Sequence, residues 1–257
     1  MDISGRVALI TGGASGLGRA SANHFVEQGM KVVLLDLNED LCKAAVGELG
    51  DDNAAYAIAD VRNDEQVKAA IDLAYEKFGS LSVVVNCAGL GFAQKVVGRN
   101  GAAEMDKYKF VIEINLFGTF NVTRLACERI VKNEPLNADG ERGVVINTAS
   151  VAAFDGQMGQ SSYSASKAGV CGMTLPMARD LARDGIRVCT IAPGIFNTPL
   201  MNGAPDKVKQ PLIEMVQFPK RLGESPEFAL LARHIVENPY LNGEVIRLDG
   251  AIRMQPR

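Results

Sequence analysis

A cluster of glycines between two apolar runs constrains this chain more than any other feature. Arg6-Val7-Ala8-Leu9-Ile10, bounded by Gly5 and Gly12, predicts a short buried strand. It runs into Thr11-Gly12-Gly13-Ala14-Ser15-Gly16-Leu17-Gly18, after which an amphipathic helix is expected from about Leu17 to Gly29. Lys31-Val32-Val33-Leu34-Leu35 predicts the next strand, ending on Asp36. Glycines at such a turn let the backbone approach a pyrophosphate, and the free N–H groups of the helix start receive that anion. The spacing is G-x-x-x-G-x-G, and Asp36 lies eighteen residues past Gly18, near the distance expected of a ribose-binding acid. A carboxylate there accepts from a ribose 2′-hydroxyl and repels a 2′-phosphate. No arginine follows Asp36 directly and Ser15 has no basic neighbour, so NAD is favoured over NADP.

The unit then repeats. Ala55 to Ala59 predicts a strand ending on Asp60-Val61, at the height of an adenine ring. Asn63 to Phe78 predicts a helix with Asp64 and Glu65 in its first turn, favourable to the helix dipole. Leu81 to Val85 is a strand ending in Asn86-Cys87-Ala88-Gly89, small residues that allow a close approach. Gly91 to Ala103 is a polar insertion, Met105 to Arg129 a helix holding Asn115 within an apolar stretch, and Lys132 to Arg142 a polar excursion on the surface. Gly143 to Ala149, Arg187 to Ala192 (closed by Pro193-Gly194) and about Glu244 to Leu248 complete the strands. Ile195 to Leu222, with four prolines and no clean period, reads as a mobile loop over a substrate. Alternating strands and helices imply an α/β fold: a doubly wound parallel sheet with helices on both faces. No repeat or linker interrupts it, so one domain is expected over residues 1–257. Its nucleotide-binding half covers about 1–150, its catalytic and substrate-loop part about 150–257.

Composition closes off other classes. A net charge of −3 with no basic run gives no case for nucleic acid. No apolar stretch is long enough for a membrane span, and the polar opening Met1 to Arg6 is too short for a signal peptide. Five scattered cysteines without C-x-x-C suit a reducing compartment and no metal site, and His24 and His234 are far apart. A cytoplasmic location is expected, or the mitochondrial matrix in a eukaryote.

The chemistry is expected between Ser150 and Lys167. Ser150 ends a strand; after a small-residue loop, Tyr163 and Lys167 stand four apart on a predicted helix and so share a face. A phenol titrates at about 10, and an adjacent ammonium favours its phenolate. The serine hydroxyl can hold a substrate oxygen while tyrosine moves the proton, which suits carbonyl/alcohol interconversion. Tyr-x-x-x-Lys also occurs on ordinary helix surfaces as a snorkelling pair. An amide inside an apolar helix face, as at Asn115, is usually satisfied by backbone.

In their order and spacing, Thr11-Gly12…Gly16-Leu17-Gly18, Asp36, Asp60-Val61, Asn86-Cys87-Ala88-Gly89, Asn115, Ser150, Tyr163/Lys167 and Pro193-Gly194 make the chain resemble the short-chain dehydrogenase/reductase family along its whole length. The fold implied is of Rossmann type. Cys87 replaces the commoner asparagine; this departure, the run Ile146 to Phe154 and the run Asn238 to Pro256 are similar to one branch of that family. The resemblance implies an NAD-dependent homotetramer oxidising 3-hydroxyacyl-CoA, short and 2-methyl-branched ones included, with side activity on 17β-hydroxysteroids. It implies Tyr163 as base, Lys167 as its tuner and ribose ligand, Ser150 as substrate-oxygen ligand and Asn115 as anchor of a water relay to Lys167. It also implies NAD contacts at Gly12, Ser15, Gly16, Leu17, Gly18, Asp36, Asp60, Val61, Cys87, Ala88, Gly89, Pro193, Phe196 and Thr198, with Gln157 and Gln160 near the substrate. The divergent insertion at 91–103 aligns with the segment near the CoA end. A steroid, polyol or acyl-carrier-protein thioester substrate is the rival reading, and a non-catalytic NAD-binding scaffold is another.

Overall fold

Short runs rich in valine, isoleucine and leucine become strands buried on both faces, as parallel sheets require. The computed structural model describes residues 1–99, 101–202 and 206–256. Asn100 of the expected insertion and residues 203–205 of the expected loop lie outside the described residues. The strands of the main sheet are β1 (Val7–Thr11), β2 (Lys31–Asp36), β3 (Ala54–Ile58), β4 (Val83–Asn86), β5 (Gly143–Thr148), β6 (Ile186–Pro193) and β7 (Val245–Leu248). They lie in the order β7-β6-β5-β4-β1-β2-β3, all parallel. The helices are α1 (Gly16–Glu27), α2 (Glu39–Leu49), α3 (Asp64–Phe78), α4 (Met105–Ile112), α5 (Thr119–Ile130), α6 (Ala152–Asp155), α7 (Ser161–Asp180), α8 (Pro199–Asn202), α9 (Asp206–Met215) and α10 (Ser225–Glu237).

Alternation along each strand splits the core into two layers. Ala8, Ile10, Val32 and Leu34 face one way, against Phe25 of α1 and Phe228 and Ile235 of α10. Val7, Leu9, Val33 and Leu35 face the other, against Ile71 of α3, Val122 and Leu125 of α5 and Met177 of α7. Asn38 and Asn63 cap α2 and α3, each side-chain oxygen accepting from backbone N–H groups of the first turn. These are the doubly wound sheet and short βα units expected.

Four expectations need correction. Residues 195–222 are not loop throughout: they contain α8 and α9, with Pro199 opening α8 and Pro211 inside α9. Proline preorganises a first helical turn, so its frequency alone does not exclude helix. The helix expected from Met105 to Arg129 is interrupted by a π-helical turn, Glu113–Gly118. The small-residue loop after Ser150 opens with the short helix α6. The excursion at 132–142 is not purely surface, because Glu141 is only 6% exposed and pairs with Arg187 of β6.

Candidate active site

Thr11, Asp36, Asn86, Thr148 and Pro193, the last residues of five strands, come out along one edge of the sheet. β2 and β4 flank β1, so the strand order reverses there, and a crevice opens beyond the carboxyl ends of the strands. The glycine turn lines it. Gly12 has φ +61°, and a Cβ on it would come within 3.0 Å of the Ala88 nitrogen. A Cβ on Gly18 would lie 2.3 Å from the Gly12 carbonyl oxygen. Ser15 precedes α1 without a side-chain cap, which leaves the first N–H groups of that helix to an anion.

A cavity of about 460 Å³ holds Gly12, Ser15, Gly16, Leu17 and Gly18 on one side, and Asp36, Asp60 and Val61 on another. Cys87, Ala88 and Gly89 form its floor towards the sheet, with Thr198 opposite. The Asp36 carboxylate accepts from the Ala14 N–H (3.2 Å) and the Asn38 N–H (3.1 Å), which ties it to the glycine turn. One cation enters this cavity unannounced by local sequence: Arg62. Its Nη2 donates to Asp60 Oδ2 at 2.6 Å and its Nη1 to Glu113 Oε2 at 3.3 Å. The hydrogen bond from Arg62 holds the Asp60 carboxyl below the usual carboxylate range. Arg62, the one cation among the described residues that line this pocket, is thus committed to two carboxylates.

A second cavity, about 540 Å³, adjoins the first and shares with it the walls formed by Leu17, Cys87, Gly89, Leu90 and Thr198. Ser150, Tyr163, Lys167, Gln157, Gln160, Pro193 and Phe196 line it. The helix α7 stacks Tyr163 and Lys167 one turn apart, with the ammonium 5.9 Å from the phenol ring centroid. Lys167 Nζ donates to the Thr148 carbonyl at 2.7 Å, which anchors it to the end of β5. The Ser150 hydroxyl oxygen accepts from the Ala152 N–H at 3.1 Å, so α6 orients it.

The electrostatics differ from the expectation that lysine lowers the tyrosine. Burial pushes the Tyr163 phenol up, and its hydrogen bond with Ser150 offsets this only in part. Burial likewise pushes the Lys167 ammonium down to about 8, although the neighbouring thiols of Cys87 and Cys171 act the other way. Desolvation is the largest influence at both groups, Lys167 being buried and Tyr163 partly buried. The Cys87 thiol is pushed up to about 11 by burial and stays neutral.

Asn115 is fully buried in the π-helical turn. Its Nδ2 donates to the Leu90 carbonyl (3.0 Å) and to Ser166 Oγ (3.1 Å), and its Oδ1 accepts from the Leu90 N–H (2.9 Å). It does not bond to Lys167; Gly89 separates them, where a Cβ would lie 3.0 Å from Asn115 Oδ1 and 3.5 Å from Lys167 Nζ. Gln157 and Gln160 reach the cavity, but Gln160 Oε1 accepts from the Gln157 N–H (2.9 Å) and Gln157 Nε2 donates to the Gln255 carbonyl (3.0 Å). Phe92, from the insertion expected near the substrate, and Leu212, from the segment expected over it, also line the cavity; neither was singled out individually, nor was Met254, which arrives from beyond β7.

Among the described residues there is no cluster of metal-ligating side chains and no helix long and apolar enough to cross a membrane. The family profile described as short chain dehydrogenase matches residues 6–209. The chain is 55% identical to 3-hydroxyacyl-CoA dehydrogenase type-2 of Bos taurus over 99% of its own length and 98% of the relative's. It is 54% identical to the Homo sapiens protein of that name over the same shares. The crystal structure of 3-hydroxyacyl-CoA dehydrogenase type-2 from Mycobacterium avium superposes with a TM-score of 0.93 at 42% identity, covering 98% of both chains. With the sheet order, the glycine turn and the serine, tyrosine and lysine on one crevice, these matches place the chain in the short chain dehydrogenase family.

Proposed function

We propose that this protein catalyses the reversible NAD-dependent oxidation of the 3-hydroxyl of 3-hydroxyacyl-CoA to 3-oxoacyl-CoA, as in fatty-acid or branched-chain amino-acid breakdown. The observation that carries this reading is the meeting of Ser150, Tyr163 and Lys167 in a cavity that shares a wall with the glycine-turn pocket. The substrate class comes from the names of the relatives above.

The residues present fit a dinucleotide. The α1 start with Ser15, Gly16, Leu17 and Gly18 would hold the pyrophosphate, where the cradle between Gly12 and Ala88 leaves no room for a Cβ. Asp36 would take the adenosine ribose, Asp60 and Val61 the adenine edge, and Cys87, Ala88, Gly89, Pro193, Phe196 and Thr198 the nicotinamide half. NAD is preferred to NADP because Asp36 would repel a 2′-phosphate and Arg62 is already paired. When bound, the oxidised dinucleotide supplies the hydride acceptor and a positively charged ring.

The chain's own residues handle the proton. Ser150 Oγ would hold the substrate oxygen, and the Tyr163 phenolate would take the hydroxyl proton. Lys167, fixed by Thr148, would hold the nicotinamide ribose and support the phenolate. Asn115 would order the π turn and the relay that returns the proton to solvent. Residues of about 1–150 would bind nucleotide and those of about 150–257 substrate.

A homotetramer suits the chain. Phe110, Phe117 and Phe120 are about half exposed along α4, the π turn and α5, an apolar ridge of the kind that marks an interface. Five free thiols suit a cytoplasmic or mitochondrial matrix setting.

NADH consumption with acetoacetyl-CoA, against steroid, polyol and acyl-carrier-protein thioester panels, tests the reading. Turnover of a steroid or polyol far above that of acetoacetyl-CoA would reject it.

A further inference from the structure

The last residues of the chain fold back on the substrate cavity. Beyond β7, Ile252 is fully buried beside Val151 and Val216, and Met254 packs on the same cluster while lining the cavity. Residues 252–256 have no regular secondary structure, so their backbone must find partners elsewhere. It finds them in the segment that carries Gln157. The Met254 N–H donates to Asp155 Oδ2 (2.7 Å), the Met158 N–H to the Pro256 carbonyl (3.0 Å), and Gln157 Nε2 to the Gln255 carbonyl (3.0 Å).

One guanidinium organises the arrangement. Arg247 Nη1 donates to Asp155 Oδ1 (2.9 Å), Nε to Asp249 Oδ2 (2.7 Å) and Nη2 to the Ile252 carbonyl (3.0 Å). Its plane also lies 5.1 Å from the Phe154 ring centroid. Its Nε–H, one Nη1–H and both Nη2–H groups are engaged, which fixes the guanidinium in place. Burial alone would raise Asp155, but the hydrogen bonds from Arg247 and the Met254 N–H hold its carboxyl below the usual range. The network has one mechanical consequence, which is to hold the tail against the loop facing Ser150 and Tyr163.

We propose that residues 252–256 form a wall of the acyl pocket, with Met254 setting its depth, and that Asp155 and Arg247 are positioning residues that hold this wall. This rests on the 3-hydroxyacyl-CoA reading above. A thioether side chain is unbranched and adaptable, which suits it to limit an apolar chain without a polar contact.

The test is steady-state kinetics of the full-length enzyme with NADH and a series running from acetoacetyl-CoA through 3-oxohexanoyl-CoA to 3-oxooctanoyl-CoA. Met254→Ala is expected to raise kcat/KM for 3-oxooctanoyl-CoA relative to acetoacetyl-CoA by about tenfold or more, since a single methylene in an apolar pocket is worth roughly 10–200-fold. Met254→Phe is expected to move that ratio the other way. Asp155→Asn is expected to raise KM severalfold across the series with kcat nearly kept, a split that mere loss of folded enzyme does not produce. NADH fluorescence titration confirms folding, and Met254→Leu paired with Met254→Phe reads the same ratio if the alanine variant does not fold. An unchanged ratio in the folded Met254 variants, with the native enzyme active on the series, overturns the wall and leaves the substrate reading standing. Failure of the native enzyme on every acyl-CoA overturns both.

Discussion

Tyr163 and Lys167 line one cavity, and desolvation is the largest influence on how each titrates. In the proposed reaction, oxidation needs the Tyr163 phenolate. The folded-state phenol titrates above its ordinary value, so its base form grows as pH rises and oxidation should accelerate from neutral towards alkaline pH. Reduction needs the protonated phenol, which is present at neutral pH and lost as pH climbs. Lys167 gives up its proton near 8, so its support for the phenolate fades above that pH. Initial rates in both directions across pH check this; oxidation that falls from neutral to mildly alkaline pH contradicts it. Tyr163→Phe should leave NADH binding nearly intact while kcat falls by about 10²–10⁴-fold, the usual contribution of one acid–base group. Asp36→Ala removes a charged acceptor; a hydrogen bond to a charged group is worth about 1.5–3 kcal/mol, so NADH should bind roughly tenfold to a hundredfold more weakly. NADPH should lose far less, and fluorescence titration of both nucleotides would expose an unchanged preference.

At the level of elements, the glycine turn is set by contact between β1 and α1. Gly18 lies in α1 where a Cβ would meet the Gly12 carbonyl at 2.3 Å, so the helix can start this close to the strand only without a side chain. Gly18→Ala should cost about 1–3 kcal/mol as overpacking, lowering Tm by several degrees and weakening NADH binding together. Thermal melts with and without NADH measure both, and a variant with native Tm and native affinity would disprove the assignment. Strands and the helix that starts at Asn63 were legible because burial and an acidic first turn leave a local period and a local residue type, whereas the helix capped by Asn38 was not among the expected elements. The π turn around Asn115 was not, since its extra residue follows from the amide's partners at Leu90 and Ser166, far apart in the chain. Nor were α8 and α9, where a proline opens one helix and lies inside the other.

Over the whole molecule, remote segments are joined by buried ions. Glu141 and Arg187, 6% and 8% exposed, pair at 2.8 Å. The same guanidinium donates to the carbonyls of Ile235, Val236 and Leu241, so the loop before β5, β6 and the end of α10 share one charge centre. Glu141→Ala strands that arginine without its anion and should destabilise the fold by about 3–5 kcal/mol. Urea unfolding measures it, and a loss under about 1 kcal/mol would refute this account of the pair.

By itself the sequence determined the parallel sheet, the glycine turn and the placing of Ser150, Tyr163 and Lys167 on one cavity. Each of these depends on residue type at short range: β-branched runs, glycines that clear a backbone, and two side chains one helical turn apart. Only the tertiary structure decided that burial raises the Tyr163 phenol, that Arg62 is paired beside Asp36, and that Met254 returns to the cavity. Desolvation and ion pairing depend on what surrounds a group in space, and those neighbours come from segments that a linear reading does not bring together.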